Sequence, residues 1–214
     1  MNGSLRMLRL KISNYLQAIV LFLTLIALWI AITINFTPLY HWFVVHDKLA
    51  QVAGMSVNKL MHNYQTLLNY LNFPWQKHLV TDFAMSASGR QHFSDVKQLF
   101  LLDYGVLIIG LGLSGWIIYR LARDKNLWCL LNPLRNLMIL MVFLLILMLC
   151  NFESFFIHFH ELLFTNDDWL FDPLTDPIIN VLPSSFFMAC FGLFFAGFLL
   201  SMTVLLWRAK KDLP

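Results

Sequence analysis

Four long apolar runs divide the chain, and polar segments of very different lengths separate them. Residues 15–34 carry no charge, residues 99–119 carry only Asp103, residues 137–153 follow a break at Pro133, and residues 186–207 start just after Pro183. Runs of about 17–25 residues are long enough, as helices, to cross a hydrocarbon core of about 30 Å. The pattern therefore predicts four membrane-spanning helices with two long segments on one side, residues 35–98 and 154–185. Within the first of these, Val57, Leu60, Met61, Tyr64, Leu67, Leu68 and Leu71 recur on one helical face. Ser56 is a fitting N-cap and Phe73–Pro74 a fitting stop, with Asn58, Lys59, Asn63, Gln65, Thr66 and Asn69 on the polar side. Ser94 followed by Asp95 reads as the cap of the second span, which puts His92 just ahead of it. The third run is expected to continue as one helix beyond Cys150. Glu153 and His160, seven residues apart, then share a face, while His158 and His160 point about 200° apart.

Composition turns these runs into a class. The chain is 59% hydrophobic and only 13% charged, with 20 Phe and 7 Trp. A soluble protein of 214 residues has no way to cover so much apolar surface, whereas a bilayer is itself an apolar solvent. Charge supplies the orientation. Ten of the 15 Lys+Arg, among them Arg6, Arg9, Lys11, Arg120, Arg135 and Arg208, fall on one side of the spans together with two of the 12 acids, Asp124 and Asp212. The positive-inside rule makes that side cytoplasmic. The first run lacks a small-x-small cleavage pattern and is expected to stay as an anchor. Cys129, Cys150 and Cys190 imply no disulfide scaffold, and the latter two read as buried apolar thiols. Gly105, Gly110, Gly112 and Gly115 in the second span suit either close helix packing, the favoured reading, or room for an acyl chain. The expected fold is an all-α integral membrane protein, one membrane domain over residues 1–214. It has four transmembrane helices, both termini cytoplasmic, and a partly helical extracellular cap formed by the two outer loops.

The chemistry-bearing stretch is FFIHFHELLFTNDDWLFDP, residues 155–173, directly after an oily run. Asp172 and Asp176 each precede proline, which forces extended or turn geometry. Topology puts His92 and His158/His160 at one bilayer depth on neighbouring antiparallel spans. A histidine there can serve as a general base near neutral pH, with Asp95 or Glu153 fixing its tautomer. A zinc site would need His92, His158 and His160 together; the opposed directions of His158 and His160 on a helix argue against it.

FHELLFTNDDWLFDPLTDPIINVLP, with the upstream NYLNFP and FAMSASGRQHFSDVKQLF, closely resembles the lipoprotein intramolecular transacylase (Lit) family of low-GC Gram-positive bacteria, over the whole chain. The resemblance implies a cell-membrane acyltransferase acting on lipoproteins whose N-terminal cysteine bears a diacylglyceryl thioether. It implies transfer of the sn-2 acyl chain to the cysteine α-amine, giving an N-acyl S-monoacylglyceryl (lyso) lipoprotein. The family's motif histidines correspond to His92 in RQHFSDVK and His160 in FHELLFTND, with no metal and no cofactor. The absence of a G-x-S-x-G elbow fits a reaction without a nucleophilic serine. His160 is expected as base toward the amine and His92 as acid or oxyanion partner, or the reverse. Asp95 and Glu153 are candidate orienting groups; Asn166 and Trp169 are candidates for binding the headgroup region. The family often places an acid after the proline equated with Pro183, where this chain has Ser184; Asp176 or Asp168 would then take over that acid's task. The expected partners are the modified lipoprotein N-terminus and membrane lipid, not nucleic acid, and the expected state is a monomer with its active site at the extracellular face. The alternatives are a non-enzymatic membrane sensor or adaptor and a zinc-dependent membrane hydrolase.

Overall fold

A computed structural model describes the backbone of residues 2–213 and the side chains of residues 10–213. Arg6 and Arg9, counted above in the charge asymmetry, lie outside the described side chains. The chain is helical, with no strand among the described residues. In order come α1 (Asn2–Asn35), α2 (Thr37–His46), α3 (Leu49–Val52), α4 (Val57–Asn72), α5 (Ala87–Arg123), α6 (Leu131–Cys150), α7 (Phe152–Leu163) and α8 (Ser184–Lys211). Short 3-10 turns precede α6 and α8.

Four helical stretches are long and apolar enough to cross a membrane: Leu10–Asn35, Ala87–Arg123, Leu127–Cys150 and Ser184–Lys211. At most 28% of the most apolar window in any of them is buried. Most residues of those windows stay at least partly exposed, as lipid-facing surface should be. Helix α5, with 37 residues, is far longer than one crossing requires at 1.5 Å per residue.

Contacts divide the chain into two compact units. One comprises residues 1–30, 104–147 and 194–214. Small and polar side chains join its helices: Thr24 Oγ1 shares a hydrogen bond of 2.8 Å with Ser114 Oγ, and Trp29 Nε1 donates to Ser201 Oγ at 3.0 Å. A Cβ on Gly110 would collide with Thr24, and one on Gly197 with the Trp29 ring. Gly105, Gly112 and Gly115 face open space. Of the four glycines in the second span, packing therefore explains only Gly110.

The other unit comprises residues 31–103 and 148–193. Its core is apolar and aromatic. Tyr40 and Phe43 of α2, Leu60, Tyr64 and Leu67 of α4, Phe93 of α5, Val181, and Phe186 of α8 form one buried cluster. Tyr40 stacks on Tyr64 with ring centroids 3.8 Å apart and donates its hydroxyl to Val181 O at 3.0 Å. Helix α4 runs as its pattern predicts: Ser56 Oγ accepts from Lys59 N at 3.2 Å, and Phe73 ends the helix in an extended conformation. Asn63, placed on the polar side by the sequence pattern, is buried instead. Its amide donates to Asp82 Oδ2 and accepts from Asp82 N, both at 2.8 Å, pinning the irregular segment after α4.

Three local expectations are corrected. Helix α5 begins at Ala87, not at Ser94, and Ser86 Oγ accepts from Gly89 N at 2.9 Å. The third span stops at Cys150, because Asn151 takes an extended conformation (φ −156°, ψ 94°) and its side chain accepts from Ser154 N at 3.0 Å, starting α7 as a separate helix. Cys150 is exposed rather than buried; the three cysteines are free thiols.

Close packing at Gly197 has a measurable consequence. Gly197→Ala should lower the thermal stability of detergent-solubilised protein by an amount typical of overpacking, about 1–3 kcal/mol. Gly112→Ala, which meets nothing, should leave it unchanged or slightly higher.

Candidate active site

The second unit brings the two motif histidines together from different helices. His92 lies in the second turn of α5 and His160 in the last turn of α7, and their ring centroids are 6.0 Å apart with planes inclined by 35°. Both are buried, at 7% and 9% exposure. Aromatic rings surround them. His92 meets Phe164 edge-on at 4.9 Å and Phe171 at 5.4 Å; His160 stacks on Trp169 at 4.9 Å and lies 4.2 Å from Phe156. Helical spacing accounts for part of this, because Phe156 and Phe164 sit four residues either side of His160 and share its face. Trp169 and Phe171 come from the irregular segment after α7.

His160 Nδ1 lies 2.7 Å from Phe156 O, an acceptor only, so Nδ1 carries the proton and donates. In the neutral ring Nε2 is then the lone-pair nitrogen. Burial pushes the His160 pKa below its ordinary value, and the hydrogen bond to Phe156 only partly opposes that. The ring is therefore neutral at pH 7 and presents a basic nitrogen. His92 Nδ1 is buried and has no hydrogen-bond partner among the described residues. A buried polar atom left without any partner costs about 1–3 kcal/mol.

Two polar contacts fasten the segment after α7 to the first turns of α5. Asn166 Nδ2 donates to Asp95 Oδ2 at 3.1 Å, while Gln91 Nε2 donates to Asp95 Oδ1 at 2.8 Å. Ten residues further on, Asp176 Oδ1 accepts from Ser86 N at 2.7 Å, and Oδ2 accepts from Thr175 Oγ1 at 2.8 Å. Burial alone would raise the Asp176 carboxyl, but these hydrogen bonds and the nearby Arg90 guanidinium outweigh it and hold the pKa below the ordinary carboxylate value.

The remaining candidates are placed as follows. Glu153 is exposed in the first turn of α7 and makes no hydrogen bond to either histidine among the described residues. Asp168 donates its backbone N–H to Asn166 Oδ1 at 3.2 Å, shaping the turn. Ser184 is exposed at the start of α8. His158 is exposed and bonds back to Ser154 O at 2.6 Å, away from the pair, as helical geometry predicts. The three histidines of the zinc alternative are thus not assembled, and among the described residues no three His, Cys, Asp or Glu are grouped to hold a metal ion. Sequence reasoning missed Phe156, Phe164 and Phe171 as site walls and Gly89 as a contact of Asp176. The i±4 spacing about His160 could have found the first two; Phe171 and Gly89 carry no local signal.

Fold and site together define an all-helical, multi-pass membrane protein built around a buried histidine pair in an aromatic enclosure. A family model described as lipoprotein intramolecular transacylase Lit matches residues 15–187, and the chain belongs to that family of acyltransferases. A solved structure of the membrane integral lipoprotein intramolecular transacylase Lit from Bacillus cereus is similar with a TM-score of 0.84 and 27% identity over 95% of each chain. Two structures of that protein with a histidine replaced, by arginine and by alanine, each give a TM-score of 0.81 at 26% identity. They cover 99% of this chain and 95% and 96% of theirs. A search of curated proteins finds no match.

The depressed His160 pKa sets a pH dependence of stability. Between the folded-state value and about 6.5, the unfolded chain binds a proton that the folded chain refuses, so stability falls as pH drops through that window. Melting temperatures measured from pH 7.5 downward should decline below about 6.5, and His160→Gln should make the decline shallower.

Proposed function

We propose that the chain moves the sn-2 acyl group of an S-diacylglyceryl cysteine to that cysteine's own α-amine, using the two histidines and no cofactor. The observation that carries this reading is the hydrogen bond from His160 Nδ1 to Phe156 O, which leaves Nε2 as the lone-pair nitrogen of a ring whose centroid lies 6.0 Å from that of His92. Both reacting groups belong to one substrate molecule, so holding them together supplies much of the rate. The α-ammonium first gives one proton to solvent. The amine nitrogen then attacks the ester carbonyl, forming the C–N bond as His160 Nε2 takes a second proton. An N–H of His92 hydrogen-bonds the tetrahedral oxyanion. The intermediate collapses by breaking the bond to the glyceryl oxygen, which receives the proton held by His160. His160 ends neutral, as it began, and one proton has been released overall.

A neutral imidazole suits both tasks. His160 as a cation would lack the lone pair for the amine proton, whereas neutral His92 still owns one N–H to donate. Asp95, held by Gln91 and Asn166, braces the helix that carries His92. Trp169, stacked on His160, and Asn166 border the place where the glyceryl region would lie. The basic excess around the termini and inner turns supports termini in the cytoplasm and a site on the extracellular face. The substrate then arrives within the outer leaflet, and the chain acts as a monomer.

The test is expression in a bacterium lacking other lipoprotein N-acylating enzymes, with mass spectrometry of lipoprotein N-terminal peptides. Conversion from a free amine with two glyceryl acyl chains to an N-acyl form with one is expected; an unchanged free amine would refute the reading. His160→Ala and His92→Ala should each lower turnover by about 100-fold or more. His92→Asn, which keeps an N–H donor, should recover part of the loss, whereas His160→Asn should recover none; the opposite pattern would reverse the two roles.

A further inference from the structure

Asp176 reaches α5 from 90 residues away and does more than fill space. The residue is 2% exposed, among the most deeply buried of the described residues. Oδ1 accepts the backbone N–H of Ser86, the residue immediately before α5, and Oδ2 is satisfied by Thr175. The first backbone N–H groups of any helix lack intrahelical partners, and a carboxylate there also meets the positive end of the helix dipole. Ser86 already caps Gly89 N with its own hydroxyl, so Asp176 completes the start of α5 from outside. The approach requires glycine at position 89: a Cβ there would run into Asp176 Oδ1. His92 lies three residues beyond Gly89, less than one turn along the same helix.

We propose that Asp176 and Gly89 form a clasp that sets the position of His92 in the transfer reaction, Asp176 being a positioning residue that acts through the first turn of α5. The proposal rests on the reading of His92 as a group that touches the reacting ester. His92 Nδ1 has no hydrogen-bond partner among the described residues, so its own side chain is not anchored through that atom. Its placement comes from the helix backbone and from ring contacts with Phe93, Phe164 and Phe171. Phe171 belongs to the same segment as Asp176, five residues before it. One carboxylate therefore ties the helix that carries His92 to the segment whose ring packs against it. A displacement of about 1 Å in such a group is enough to cost on the order of 100-fold in rate.

The clasp is tested with four variants of the full-length protein in lipid, measuring kcat and KM on an S-diacylglyceryl lipopeptide alongside melting temperature. Asp176→Ala should lower kcat by about 10- to 100-fold with KM changed less than about threefold. Asp176→Asn keeps an oxygen for Ser86 N and should recover most of that loss. Gly89→Ala should match Asp176→Ala, because its methyl displaces the carboxylate. Added to Asp176→Ala, where the carboxylate is gone, Gly89→Ala should cost nothing further. The proposal is overturned if Asp176→Ala keeps full kcat, if the two losses multiply in the double variant, or if only the melting temperature falls. His92→Ala, run in parallel, separates the outcomes. Should it stay active, the histidine reading fails; should it lose activity while Asp176→Ala does not, only the clasp fails.

Discussion

The state of the His160 ring depends on one hydrogen bond, from Nδ1 to the carbonyl of Phe156 one turn earlier. It commits the ring's only proton, in the neutral form, to the helix backbone. It also aligns the imidazole along α7 without any charged partner. Aromatic burial completes the effect by disfavouring the cation. A carboxylate in place of that carbonyl would raise the pKa and favour the imidazolium. The enclosure thus trades hydration for a neutral, oriented nitrogen.

The surrounding fold can be understood as the means of keeping that arrangement in place. The break at Asn151 ends the third span and starts α7 afresh, so the helix that carries His160 is not committed to the direction of the oily run before it. The apolar cluster of α2, α4, Phe93, Val181 and Phe186 gives the first turns of α5 a firm base. The segment after α7 is then tied to those turns at both ends, through Asn166 to Asp95 and through Asp176 to Ser86. Between the ties it carries Trp169 and Phe171, one ring against each histidine. Edge-on and stacked ring pairs of this kind contribute about 0.5–1.5 kcal/mol each beyond their buried area. The polar ties fix which rings meet which.

Features written in local periodicity were legible in the sequence. The four spans, α4 with its Ser56 cap, and the opposed directions of His158 and His160 all follow from residues within a few turns of each other. What the sequence hid depends on distant partners. Ser94–Asp95 looked like a helix start because the signal that starts α5 includes a carboxylate 90 residues away at Asp176. Asn63 looked like a surface residue because its partner, Asp82, lies beyond the end of α4. Asn151 had a capping residue's identity but sat inside an apolar run whose hydropathy masked it. The glycines of the second span looked alike, yet only Gly110 meets a neighbouring side chain, and that depends on Thr24 of another helix.

Nitrogen-15 NMR of histidine-labelled protein in micelles tests directly whether His160 is a neutral base with a fixed tautomer. At pH 7 the His160 signals should show a protonated Nδ1 and a bare Nε2, and they should hold that form until the pH falls below about 6.5. A protonated Nε2 at pH 7, whether in the other tautomer or in the imidazolium, would contradict it.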